Sequence, residues 1–118
     1  MHLDHCIELE DVKTALELPF DSIMIDASTL EPEANIQQCR EIVQIANARG
    51  ISIEAEMGRI EGGEDGLPSV NMESILTQPD LAKEFVQQTG VQFLAPAFGN
   101  IHGSYGPRGP QSFWRLPL

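Results

Sequence analysis

The sequence predicts an α/β fold built on parallel strands. Three observations carry this. Four short apolar, β-rich runs alternate with stretches of helical period. Glycines stand where two of the helices should end. An acid or an imidazole stands at or just beyond the carboxyl end of each run. Strands that alternate with helices imply right-handed crossovers and a parallel sheet, which needs cover on both faces or closure into a barrel.

The elements follow in order. Leu3 and its neighbours read as the end of a strand. Glu8 to Leu18 is a short helix with Ile7, Val12, Ala15 and Leu16 turned inward. Ser22-Ile23-Met24-Ile25-Asp26 is a buried-strand pattern behind the breakers Pro19 and Asp21. Pro32 to Arg49 is a longer helix with Ile36, Cys39, Val43 and Ala46 on one face and Ile42 and Ile45 beside it; Gly50 suits a left-handed cap. Ile51 to Glu56 alternates with period two. Thr77 reads as an N-cap with Asp80 three residues on, followed by a stripe of Leu81, Ala82, Phe85 and Val86 and closure at Gly90. Val91 to Ala95 is the last strand. Gly99 to Leu118 is rich in Gly and Pro and shows no period.

The 118 residues suit one domain but are too few for a complete barrel of about 250 residues. Hydrophobic residues make up 42% and charged residues 21%, so the chain is expected to fold. With 18 acids against 7 Lys and Arg, the net charge of −11 argues against nucleic acid and anionic membrane as partners. No apolar run approaches the ~20 residues of a membrane span, and no signal peptide is expected. Two cysteines do not make a disulfide framework, so a cytoplasmic setting is the expectation.

Chemistry in parallel α/β folds collects at strand carboxyl ends. Asp4-His5, Asp26, Glu54 with Glu56, and Asn100 with His102 hold those places here. Adjacent residues such as Asp4 and His5 point to opposite faces of a regular strand, a rule that relaxes at a strand end. A single histidine is usually a hydrogen-bonded surface or core residue, whereas His5 and His102 together suggest a metal site. Catalytic zinc usually takes three protein ligands, so two histidines are one short; either Glu56 or a residue outside this chain would complete the set. Asp26 also reads as an N-cap for the next helix. Glu61 to Gly66 is either a solvated turn or a mobile loop that delivers Glu64 as a base. Gly99 to Gly106 has backbone N–H groups able to cradle a phosphate.

Taken together, His2-Leu3-Asp4-His5, Ser22 to Ser28, Glu33 to Ile36, Ile53 to Gly58, Gly62 to Gly66, Thr89-Gly90-Val91 and Phe98 to Tyr105 resemble, in order and spacing, the class II, zinc-dependent fructose-bisphosphate aldolases and related ketose-bisphosphate enzymes. The resemblance implies a partial (β/α)8 barrel of about four strands and three helices. Residues 1–118 would form one incomplete barrel domain from the middle of the family's chain, with 106–118 a poorly matched C-terminal tail. It implies a glycolytic lyase: zinc-dependent, reversible cleavage of a ketose bisphosphate to dihydroxyacetone phosphate and glyceraldehyde 3-phosphate.

By the same resemblance His5 and His102 are zinc ligands, with Asp26 and Glu56 acids near the metal. Asp4 exchanges a proton with the C4 oxygen of the ketose, and Glu64 moves the proton of the dihydroxyacetone phosphate carbon. Gly103 and Asn100 meet the substrate. The family's third zinc histidine and its later phosphate loops lie beyond Leu118. This sets a second reading beside the first, an inactive remnant that only binds metal or a partner. Unpaired edges of a half barrel also suggest association of copies.

Overall fold

A computed structural model describes residues 1–57 and 77–97. Glu64, Asn100, His102, Gly103 and the 106–118 tail fall outside the described residues. Within them the order is β1 (His2–Cys6), α1 (Leu9–Leu16), β2 (Ser22–Ile25), α2 (Pro32–Arg49), β3 (Ser52–Met57), α3 (Pro79–Thr89) and β4 (Phe93–Pro96). All strand pairs are parallel, and the sheet order β1-β2-β3-β4 repeats the chain order. Consecutive right-handed crossovers put successive helices on the same side of such a sheet, as in an arc of a (β/α) barrel.

The two sheet faces differ because the strands alternate. Ile23, Ile25, Ile53 and Ala55 point toward the helices and are fully buried against Val12, Ala15 and Leu16 of α1, Cys39, Ile42, Val43 and Ala46 of α2, and Phe85 of α3. Each large aliphatic side chain so buried contributes roughly 1.5–3 kcal/mol. The other parity carries Ser22, Met24, Ser52, Glu54 and Glu56, a mostly polar face.

Helix α2 matches its predicted span because both ends are set locally. Pro32 occupies the first turn, and Gly50 ends the helix at φ +70°. Gly90 ends α3 in the same way at φ +77°. Arg49 reaches back from α2 and donates through Nη1 to the Leu16 carbonyl at 2.9 Å, satisfying an end of α1.

Several expected details differ. Ile7, Ile45, Leu81 and Val86 are exposed, because each helix buries a narrower stripe than its apolar residues suggested. Thr77 is not the N-cap of α3; that position is Gln78, with no side-chain cap. The Thr77 hydroxyl instead donates to the Met57 carbonyl at 2.8 Å and accepts from the Ala97 N–H at 2.9 Å, tying the ends of β3 and β4 together. Strand β4 begins at Phe93 rather than Val91. The Val91 side chain is tucked into the core, and the Gln92 side chain accepts from the Ile53 N–H at 2.8 Å.

Gly50→Ala tests the cap. A Cβ at Gly50 meets nothing within 4 Å, so the penalty is conformational alone. The substitution should lower unfolding stability by about 1–2 kcal/mol in urea titration, and an unchanged midpoint would refute the left-handed assignment.

Candidate metal centre

The site begins with an irregularity in β1. Leu3 pairs with Ile23 and Cys6 with Ile25, so Asp4 and His5 together stand opposite the single residue Met24. His5 takes up the extra residue at φ +45°, a left-handed value uncommon outside glycine. This resolves the parity problem of two adjacent polar residues. Leu3 and Cys6 both keep the helix-facing side, and Asp4 and His5 fall on the polar side.

There His5 meets acids from the next two strands. Its Nδ1 lies 2.9 Å from Asp26 Oδ2, just beyond β2, and 3.7 Å from Glu56 Oε2 in β3. Asp26 is held in turn by Ser28, whose Oγ donates to Oδ1 at 2.7 Å and whose N–H donates at 3.4 Å. Asp26 therefore shapes the turn after β2 and does not cap α2, whose cap position is Glu31. Glu56 is buried, and its backbone carbonyl accepts from Asn35 Nδ2 at 3.1 Å.

His5, Asp26 and Glu56 each offer one ligand atom, and these atoms lie within 4.8 Å of one another. One imidazole nitrogen and two carboxylate oxygens at that spacing fit a divalent cation that accepts nitrogen and oxygen donors.

Asp4 is the neighbour of this group, exposed on the same face. His2 Nε2 lies 3.8 Å from Asp4 Oδ1 and 3.4 Å from Glu54 Oε2, while its Nδ1 is 2.7 Å from Ser22 Oγ. Glu54 thus sits lower on β3, paired with His2, and is not in the metal group, although the sequence reading set it at a strand end beside Glu56. The described cations, Lys13, Arg40, Arg49 and Lys83, all lie on helices. Among the described residues the polar face therefore offers carboxylates and imidazoles, and no Lys or Arg for a phosphate.

Sequence reasoning missed Asn35. It belongs to the Cys39 stripe of α2, one turn earlier, and an amide on an apolar helix face was the available signal.

The electrostatics follow from the contacts. The hydrogen bond to Asp26 holds the His5 pKa above its ordinary 6.5; partial burial works against this, and the charges of Asp4, Asp26 and Glu56 add to it. Burial is the largest single influence on Asp26 and pushes its pKa up, but the bonds from His5 and Ser28 together outweigh it and leave the carboxyl below 3.8. A raised histidine stabilises the fold below pH 6.5 and loses that contribution as pH climbs through its folded pKa. A lowered carboxyl stabilises above pH 3.8 and loses its contribution as pH falls through its folded pKa. The pair is therefore worth most between about pH 4 and 6.5.

Three comparisons bear on this geometry. The family model described as fructose-bisphosphate aldolase class-II matches residues 1–117. A Coccidioides immitis protein, provisionally named a fructose-bisphosphate aldolase, is 52% identical over 120 residues, covering 94% of this chain and 39% of its own length. A Giardia intestinalis protein named fructose-bisphosphate aldolase is 46% identical over 105 residues, covering 89% and 32%. The crystal structure of a provisionally named Coccidioides immitis fructose-1,6-bisphosphate aldolase superposes with a TM-score of 0.78 at 54% identity, over 93% of this chain and 39% of that one. The chain thus spans between about a third and two fifths of the length of these relatives. No helix among the described residues is long and apolar enough to cross a membrane.

In the metal-free chain the His5 imidazole should titrate above 6.5 by NMR, and Asp26→Asn should move its midpoint down. An unmoved midpoint would exclude the His5–Asp26 bond in solution.

Proposed function

This chain belongs to the class-II fructose-bisphosphate aldolase family, and we propose that it carries the part of a zinc-dependent aldolase site that binds the metal and exchanges protons with a ketose bisphosphate. The grouping of His5, Asp26 and Glu56 supports this most directly, because three donor atoms that could hold a cation converge at strand carboxyl ends, where (β/α) barrels carry their chemistry.

In this reading His5 is a metal ligand, and Asp26 and Glu56 are acids that share or adjust the cation. When bound, the zinc supplies Lewis-acid polarisation of the substrate carbonyl. Asp4 stands beside the group on the same face, exposed and next to His2, a position suited to moving a proton at the C4 oxygen of the ketose. Fixed carboxylates also favour a cation at the group over bulk water.

The rest of the assignment comes from the family resemblance. His102 is the second metal histidine and Glu64 the acid that moves the proton of the dihydroxyacetone phosphate carbon. Gly103 and Asn100 hold the substrate through the glycine-rich loop from Gly99 to Gly106. Backbone N–H groups of such a loop bind phosphate without a charged side chain. The products are dihydroxyacetone phosphate and glyceraldehyde 3-phosphate, the reaction is glycolytic, the setting cytoplasmic, and copies of the chain associate.

Zinc titration of the purified chain should show saturable binding, and His5→Ala should weaken it at least tenfold. Unchanged affinity would remove His5 from the ligand set. Aldol cleavage of fructose 1,6-bisphosphate, followed by trapping of the triose phosphates, should be abolished by a chelator. Zinc binding without any cleavage at millimolar substrate would leave a metal-binding domain only.

A further inference from the structure

Asn35 is 4% exposed and sits in the first two turns of α2. A buried side-chain amide is costly unless both of its ends are bonded. Here both are: Nδ2 donates to the Glu56 carbonyl at 3.1 Å, and Oδ1 accepts from Cys39 Sγ at 3.3 Å. Cys39, one turn on and fully buried, is a thiol whose pKa burial pushes up to about 12, so it remains a neutral donor at physiological pH.

The recipient of the amide is informative. The last paired position between β2 and β3 is Ile25 with Ala55, so Glu56 lies one residue past the end of that ladder. Beyond Ile25 the chain turns away through Asp26, which is how the Asp26 carboxylate reaches His5. The Glu56 carbonyl stands just past that last pair and takes a hydrogen bond from outside the sheet. Asn35 supplies the bond from the helix. On the other side, Thr77 donates to the next carbonyl, that of Met57. Two consecutive carbonyls at the end of β3, those of Glu56 and Met57, are thus each gripped by a side chain from a flanking element, and the first of them belongs to the buried acid of the metal group.

We propose that Asn35 is a positioning residue for metal binding: it fixes the backbone of Glu56 so that the carboxylate converges with His5 and Asp26. The proposal rests on the metal reading of that group. The bond from Asn35 to Glu56 goes to the main chain and not to the carboxylate, so Asn35 would act through the Glu56 backbone. An amide that merely bonded a carbonyl would affect folding stability and leave the cation site alone.

The test separates these roles with three variants of the full chain. Asn35→Ala removes the amide; Asn35→Asp keeps its shape but removes the N–H donor, and serves if the alanine variant does not fold. Val12→Ala opens a core cavity under α1, in a different helix from the amide, as a destabilised control. Zn2+ affinity is measured by competition with a chromophoric chelator, and the Co2+-loaded forms are compared by visible absorption. Asn35→Ala and Asn35→Asp should lose about tenfold or more in Zn2+ affinity and shift the Co2+ bands. Val12→Ala should unfold earlier in urea yet bind Zn2+ as the parent does, with the same Co2+ spectrum. A folded Asn35 variant with affinity within about twofold of the parent and an unshifted Co2+ spectrum would overturn the proposal alone. Failure of the parent chain to bind Zn2+ would overturn the metal reading and this proposal with it.

Discussion

The extra residue in β1 is the constraint on which the rest of the site depends. Strand side chains alternate, so a regular β1 would set Asp4 and His5 on opposite faces, one in the apolar layer under α1. An imidazole there would sit among Leu16, Ile23 and Ile25, far from Asp26. By spending one residue between Leu3 and Cys6 at φ +45°, the strand returns Cys6 to the core and brings both polar side chains to the other face. A backbone value of that kind costs of order 1 kcal/mol for a residue with a Cβ. The bond from His5 to Asp26 is available to offset it.

Neighbouring strands complete the arrangement by ending at different heights. Strand β2 leaves the ladder at Ile25 and lets Asp26 turn beside His5, while β3 continues through Glu56 and Met57. The staggered ends create a corner where acids from two strands face one imidazole. Side chains from flanking elements bond the last carbonyls of β3: Asn35 donates to that of Glu56, and Thr77 joins the Ala97 N–H at that of Met57. Polar residues that look incidental in the sequence are consequences of how the strands terminate.

What the sequence revealed follows the range of each signal. The span of α2 was legible because Pro32 and Gly50 act within one turn of each helix end. The alternation of strands and helices was legible, and with it the parallel order, since period and connection handedness are local properties. Asp26 and Glu56 could be picked out as acids after apolar runs, but their meeting with His5 required the register of three strands. The irregularity at His5 has no compositional mark, because glycine is the usual sign of positive φ. Thr77 was misread because a threonine before a helix is normally a cap, and here two strand ends compete for its hydroxyl. Ile7, Ile45, Leu81 and Val86 show the same limit for packing: apolar character does not say which residues a neighbouring layer reaches.

The acidity of the chain takes on a local meaning at this corner. Carboxylates brought together in a half-buried site repel one another, and burial alone pushes the Asp26 carboxyl toward its neutral form. The hydrogen bonds that oppose this come from Ser28, which is neutral, and from His5, which can carry a proton. A proton that His5 holds more firmly than an ordinary imidazole does is a positive charge facing Asp26 and Glu56. The same field, acting on the same atoms, favours a divalent cation more strongly, because twice the charge meets the same two carboxylates. Cation binding would then displace the proton, since a ligating imidazole nitrogen must be free. The geometry that raises the basicity of His5 is therefore the geometry of a cation site, and the two properties cannot be tuned separately without moving Asp26 or Glu56.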